Sequence, residues 1–351
     1  MKLLIGASKD FRFHLEQFAD ALMKQGTDCL VVNVTDYGSG FLGKDVKNWF
    51  SNKKFKKLVQ SFKPNLIIID GRTVFGNYAV KIGIPLIYHM RGDEWAETKW
   101  ALQTLRKITV ERIIIRYRAR RAEKCYEKSA LIIPICRHLE KIVKQHHPNK
   151  KTNVLHGGIT PSEWYPSEGM AFKHPCVGLL QRASIWGKAQ EMLVLEDVLK
   201  AMPDVTFYWA GDGPYRDKIL AALGGYENFK WLGPLQYPDK VREYLTEIDV
   251  YALVSGIDMS PLTLQEAQLM KRPVVATNVG GIPEIMKDGE TGFLVEKGDA
   301  GGWVEKLSLL TNDEQKRKDM GEEGRRFVVE NFNWNRIARE FLDILEEHGI
   351  S

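Results

Sequence analysis

The chain has 351 residues, 44% hydrophobic and 27% charged, an ordinary globular composition with length for two domains rather than one. No apolar run nears the roughly 18 residues of a membrane span, and the opening MKLLIGASKD is too short in apolar residues for a secretory leader, so it reads as a first strand. The net charge of +5 is unevenly spread: residues 1–170 hold 29 Lys and Arg against 16 Asp and Glu, a net of +13, and residues 171–351 hold 21 against 29, a net of −8.

Such a division implies that the first half meets something anionic. Cys29, Cys125, Cys136 and Cys176 show no metal-ligand or redox spacing. Buried, reduced thiols in a cytoplasmic chain are the expectation.

Along the first half, runs rich in Leu, Ile and Val fall at 2–5, 29–34, 65–70, 85–89 and 131–135. Continuous runs suit parallel strands buried on both faces, and the amphipathic stretches between them suit crossover helices. Two of these stretches are basic. KNWFSNKKFKKLVQSFK (47–63) sets six lysines among Trp49, Phe50, Phe55 and Phe62. ERIIIRYRARRAEK (111–124) sets Arg112, Arg116, Arg118, Arg120 and Arg121 among Ile113, Ile114, Ile115 and Tyr117. Basic helices with aromatics suit an anionic membrane surface. A solvated charged face carries the same pattern, and so does a nucleic-acid-binding surface, but no nucleic-acid motif accompanies it. Between the two stretches, PLIYHMRGDEW (85–95) places His89 and Arg91 two apart, on one face of a strand.

HGGITPSEWYPSEG (156–169) has no sustained period and marks the domain boundary. The expected domains are 1–170 and 171–332, with a closing helix in 333–351 returning toward the first domain. The second half repeats the alternation, with runs at 177–180, 205–210, 229–232, 250–254, 273–277 and 293–295 and helical periods near 187–201, 299–311 and 313–331. The fold class is therefore α/β, two doubly wound Rossmann-like domains, with a site expected in the cleft between them at the carboxyl ends of the strands.

Three segments of the second half carry chemistry. VGLLQRASIWGKAQEML (177–193) places Arg182 and Lys188 at a strand's carboxyl end, where a forked guanidinium and a compact ammonium hold a diphosphate. AGDGP (210–214) follows a strand, and Gly211 permits a tight turn and close backbone approach to a ligand. In SGIDMSPLTLQEAQLMKRPVVATNVGGIPE (255–284), Ser260 suits a helix N-cap and Pro261 the first helical position. The Leu262 and Thr263 amides then point out of the helix toward an anion. Glu266 stands one turn on, within reach of a hydroxyl pair beside that anion, and Asp258 lies eight positions before it.

In this order, and with WLGPL (231–235), DGETGFLV (288–295) and ENFNWNRIAREF near the end, these segments resemble the retaining glycosyltransferases of family 4, glycosyltransferase group 1. The resemblance covers the whole second half and is weak in the first, the acceptor-binding half. It implies a GT-B fold and a retaining, metal-independent hexosyltransferase that takes a nucleotide-diphosphate sugar as co-substrate and a glycan or lipid-linked hydroxyl as acceptor. No cofactor is implied, and no Asp-x-Asp metal triplet is present.

The resemblance further implies that Arg182 and Lys188 neutralise the donor diphosphate and that Asp258 faces the donor sugar. Glu266 would bind ribose hydroxyls, the main chain near Leu235 the base, and the amides after Pro261 phosphate or sugar. By register, Arg91-Gly92 takes the place of a His-Gly pair near the reacting centre, with His89 the second candidate. Three departures stand out. Asp258 replaces a glutamate, Gln181 and Ala189 replace glycines, and only Gly6 remains of a glycine pair after the first strand. They leave open a catalytically inert nucleotide-sugar-binding relative. A sugar-nucleotide epimerase is disfavoured by the Arg182, Lys188, Asp258 and Glu266 set. Peripheral attachment to the inner membrane face is the expectation from the basic helices.

Overall fold

In the computed structural model, residues 1–37, 52–105 and 109–350 are described. Every apolar run read from the sequence is a strand. Contacts divide the chain into two compact units, Met1–Ile159 with Phe332–Ser351, and Thr160–Asn331. The division therefore falls at 159/160, not 170: the glycine- and proline-rich stretch after it holds to the second unit, where Arg242 donates to the Glu163 carbonyl and Arg325 to that of Trp164.

The first unit carries β1 (Lys2–Ala7), β2 (Asp28–Asn33), β3 (Leu66–Asp70), β4 (Leu86–Met90) and β5 (Leu131–Pro134), in the order β2-β1-β3-β4-β5. All pairs are parallel. β3 is buried at all five positions, as a strand covered by helices on both faces must be. The crossovers hold α1 (Arg12–Met23), α2 (Lys53–Phe62), α3 (Val74–Ala79), α4 (Glu94–Trp100) and α5 (Thr109–Lys128), and α6 (Arg137–His146) follows the last strand.

The second unit carries β6 (Cys176–Leu180), β7 (Thr206–Ala210), β8 (Phe229–Gly233), β9 (Val250–Leu253), β10 (Val274–Thr277) and β11 (Gly292–Val295), in the order β11-β10-β9-β6-β7-β8, again all parallel. Its helices are α7 (Trp186–Ala189), α8 (Leu195–Ala201), α9 (Arg216–Leu223), α10 (Asp239–Glu247), α11 (Leu262–Leu269), α12 (Ala300–Asn312) and α13 (Glu314–Asn331).

The chain re-enters the first unit where Ile159 N–H donates to the Phe332 carbonyl, and α14 (Trp334–Glu347) follows. Ile337, Phe341, Ile344 and Leu345 recur at helical spacing on its buried face and join α1 in one core with Leu15, Phe18 and Leu22. Phe18 meets Phe341 edge-on at 5.3 Å, and Trp334 Nε1 donates to Gln17 Oε1 at 2.8 Å. A Cβ on Gly158 would fall 2.4 Å from the Trp334 ring, so only glycine fits there.

The basic stretches differ from expectation. Residues 47–51, including Trp49 and Phe50, lie outside the described residues. Within α2, Phe55 is fully buried against Phe75 at 4.7 Å, and Phe62 is half-buried beneath Lys2. Phe55 therefore belongs to the core rather than to a membrane-facing surface, because α2 has to cover the sheet. In α5, Arg112 donates to the Leu102 carbonyl and Arg121 to Asn77, whereas Arg116, Arg118, Arg120, Ile113 and Tyr117 are exposed.

Candidate functional site

A doubly wound sheet opens a crevice where the strand order reverses, because crossovers leave in opposite directions there. In the second unit that point lies between β6 and β9. The loops after these strands carry Arg182, Lys188 and Asp258. Lys188 Nζ pairs with Asp258 Oδ2 at 2.9 Å. Asp258 is held in turn, its Oδ1 accepting from the Met259 amide and its carbonyl from the Gly281 amide. Arg182 is exposed, with no carboxylate partner among the described residues.

Gln181 shows why a side chain stands where a glycine was expected. Its Nε2 donates to the Val254 carbonyl at 2.7 Å, and its Oε1 accepts from the Val254 amide at 3.1 Å. The amide group so extends the β6–β9 pairing past the strand ends and fixes the spacing of the two loops. Ala189, the other substitution, is fully buried. At Gly211 a Cβ would lie 2.0 Å from the Gln181 carbonyl oxygen, so glycine is what lets the loops after β6 and β7 approach each other.

The helix at the crevice, α11, starts at Leu262, with Pro261 as N-cap and no side-chain cap. Ser260 is not the cap, and its buried hydroxyl has no partner among the described residues. The shift follows from Pro261 taking ψ 111°, an extended value that excludes it from the helix. Leu262 and Thr263 accordingly occupy the first turn, where amides have no acceptor within the helix. The Tyr251 hydroxyl donates to Thr263 Oγ1 at 2.7 Å and steadies that turn.

Glu266 is 3% exposed. Tyr237 donates to its Oε1 at 3.2 Å, and its Oε2 has no partner among the described residues. Burial raises its pKa from 4.5 to about 8 against the opposing effect of the Tyr237 hydrogen bond. A buried oxygen with no donor is costly, and a ligand hydroxyl would satisfy it. Leu235, half-buried, lies two residues before Tyr237 in the loop after β8.

A second cluster lies in the first unit, whose order reverses between β1 and β3. Asp70 ends β3 and stands in register opposite His89 on β4. Asp70 Oδ1 meets His89 Nδ1 at 2.9 Å, and its Oδ2 is 4.0 Å from Arg91 Nη1. Arg91 also lies over the Phe11 ring, 4.1 Å from its centroid. Burial works against the Asp70 charge, but the His89 hydrogen bond and the Arg91 charge outweigh it and hold its pKa below the ordinary value. An ionised carboxylate only accepts, so His89 Nδ1 carries a proton and Nε2 is the ring atom left for other chemistry. His14 adds a neutral imidazole, its pKa lowered to about 4 by burial and then by Arg91.

The structure thus joins His89 and Arg91 through one carboxylate, and Lys188 to Asp258 directly. Sequence reasoning did not single out Asp70, His14 or Tyr237, and it named Gln181 only as a replacement for a glycine. An acidic residue closing the apolar run LIIID was an available signal for Asp70. His14 had none, since its position follows from how α1 lies on the sheet.

Residues 168–313 match the protein-family model described as Glycosyl transferases group 1. Among curated proteins, the chain is 32% identical over 156 residues to N-acetyl-alpha-D-glucosaminyl L-malate synthase of Bacillus anthracis, covering 43% of this chain and 41% of that one. It is 24% identical over 269 residues to an uncharacterised glycosyltransferase of Methanocaldococcus jannaschii, covering 76% and 70%. With the first of these, as with several others, the chain spans less than half of the relative's length. Among solved structures, sucrose-phosphate synthase from Thermosynechococcus elongatus superposes with a TM-score of 0.74 at 14% identity, covering 99% of this chain and 98% of that one. Anabaena HepE in complex with UDP-glucose gives 0.71 at 17% identity, covering 99% and 100%. At these identities the likeness is one of fold.

Proposed function

We propose, from the premise that this chain belongs through residues 168–313 to the glycosyl transferases group 1 and has the GT-B fold, that it moves a hexosyl group from a nucleotide-diphosphate sugar to a hydroxyl acceptor with retention. The observation that carries this reading is the crevice between β6 and β9. The loops after these two strands and the helix that follows β9 carry Arg182, with no carboxylate partner among the described residues, the Lys188–Asp258 pair, two open helix amides, and the Glu266 carboxyl, one oxygen of which has no partner among the described residues.

Each part has a task in the transfer. Arg182 and Lys188 take the diphosphate, and the Leu262 and Thr263 amides take phosphate or sugar oxygens. Glu266 accepts from the ribose hydroxyls, beside the Leu235 main chain at the base. In the reaction the bond from the anomeric carbon to the diphosphate oxygen breaks, and the acceptor oxygen bonds to that carbon on the same face. The acceptor proton passes to the departing phosphate oxygen, and the nucleoside diphosphate leaves. Fixed cations and amides stabilise the growing negative charge without reorganising, and such preorganisation supplies much of the acceleration in enzymes of this kind. The balance closes without a metal. Asp258 orients Lys188 and faces the sugar, while His89 and Arg91 serve the acceptor side.

The exposed Arg116, Arg118 and Arg120 with Ile113 and Tyr117 on α5 support a membrane-borne or lipid-linked acceptor reached from the cytoplasmic face. The direct test is thermal stabilisation by UDP, GDP, ADP, CMP and TDP. A ligand at about 100 times its dissociation constant adds roughly 2.7 kcal/mol to the state that binds it. Stabilisation by one diphosphate, lost in Arg182→Ala, is the expected result and names the base. No shift from any of them with folded protein would overturn the donor site.

A further inference from the structure

We propose that His174, Cys176 and Asp249 form a binding site for a zinc-like divalent cation, separate from the sugar-transfer crevice. Their ligand atoms lie within 4.8 Å of one another. Cys176 Sγ is 3.7 Å from His174 Nδ1, and His174 Nδ1 is 2.8 Å from Asp249 Oδ2. Tetrahedral coordination at ordinary zinc–sulfur and zinc–nitrogen lengths sets those two donors about 3.6 Å apart, so the first edge already fits. The second edge is a hydrogen-bond length and opens by about 0.5 Å when an ion replaces the shared proton.

The surroundings complete the pattern of a metal-binding histidine. Its second ring nitrogen, Nε2, meets Glu247 Oε1 at 2.9 Å, the carboxylate contact that fixes the ring and its tautomer at such sites. Asp249 Oδ2 is itself fixed by the Cys176 amide at 2.8 Å. Arg272, whose guanidinium donates to the carbonyls of Thr246 and Ile248, offsets part of the negative charge. A plain ion pair accounts for His174 with its two carboxylates; the Cys176 thiol, hydrogen-bonded to the Asp249 carboxylate and turned to the same ring nitrogen, brings a third ligand atom to that point. Cys176 is fully buried, whereas the His174 side chain is 44% exposed, so an ion would enter from the histidine side. On binding, the thiol proton and the proton between Nδ1 and Oδ2 pass to solvent, and three protein ligands leave a fourth position for water.

Place in the fold separates this ion from the chemistry. Cys176 opens β6 and Arg182 lies beyond its other end, about 20 Å away along an extended chain. A cation here would clamp the segment entering β6 to the connection between α10 and β9. It would act on stability rather than on the donor.

The test is titration of the full chain, stripped of metal by chelator, with cobalt(II) followed by optical spectroscopy. Competition for zinc(II) against a chromophoric chelator gives the affinity. Expected is one equivalent bound, with a thiolate-to-cobalt charge-transfer band and the intense visible bands of tetrahedral cobalt. Cys176→Ser should abolish the charge-transfer band, and Cys29→Ser should leave it intact. His174→Ala should weaken zinc binding by at least about 100-fold, and Glu247→Gln, which removes only the outer contact, by about 10- to 100-fold. No charge-transfer band in the unmodified protein, or a band that survives Cys176→Ser, overturns the site and leaves a histidine clasped by two carboxylates.

Discussion

Glu266 holds opposed demands within one side chain. Its pKa of about 8 means that burial favours the protonated form, whereas the role proposed for it, accepting from two ligand hydroxyls, would favour the ionised form. The folded-state pKa lies above the unfolded value. Stability from this group is therefore fully present below pH ~4.5 and lost as pH rises toward 8. Glu266→Gln is thus expected to raise Tm by a few degrees at pH 9 and to change it little at pH 4, as read by calorimetry. The same variant should weaken nucleoside-diphosphate binding by about 10-fold or more, since a hydrogen bond to a charged group contributes ~1.5–3 kcal/mol. Asp70 has a cleaner role. Asp70→Asn keeps the shape but loses the charge that sets the His89 tautomer. It should reduce the transfer rate by about 100-fold or more with nucleotide affinity unchanged, and His89→Ala combined with it should cost little more. Additive losses in the double variant would place the two residues in separate tasks.

Among the elements, the turns that let loops approach one another position the crevice. Gly280 has φ +59°, and a Cβ there would lie 1.9 Å from the Asp258 carbonyl. Gly280→Ala should therefore push the Asp258 loop outward and remove nucleotide stabilisation, although residue 280 is assigned no part in binding. The closing helix α14 is an element of the first unit despite lying last in the chain. Phe341→Ala opens a cavity against Phe18 and should destabilise the protein by about 3–5 kcal/mol, measurable by urea denaturation. Its amphipathic pattern was plain in the sequence, and so was every strand, because burial on both faces leaves continuous Leu, Ile and Val runs. The start of α11 was misplaced by one residue, since the favoured Pro position yielded to the local backbone angle. Phe55 of α2 was misread because a basic helix covering a sheet and one lying on a membrane share a pattern. Only the identity of the covered face distinguishes them.

For the molecule as a whole, the +13 and −8 halves predict salt-sensitive binding of the full chain to anionic vesicles. Sedimentation should fall steeply as ionic strength rises past ~0.15 M, and Arg116, Arg118 and Arg120 changed together to Gln should abolish it. Binding that ignores both salt and these substitutions would remove the membrane reading. The sequence by itself determined the class of fold, because strand periodicity is local, and for the same reason it displayed the motifs around Arg182, Lys188, Asp258 and Glu266 on which the proposed donor site rests. It also determined the charge division, which is a matter of composition. Tertiary structure alone decided the partners across distance: Asp70 with His89 and Arg91, Gln181 with Val254, Glu266 with Tyr237, His174 and Cys176 with Asp249. Each pair joins residues of separate strands or loops, and strand order is set by how crossover helices pack, a long-range outcome that no window of residues encodes.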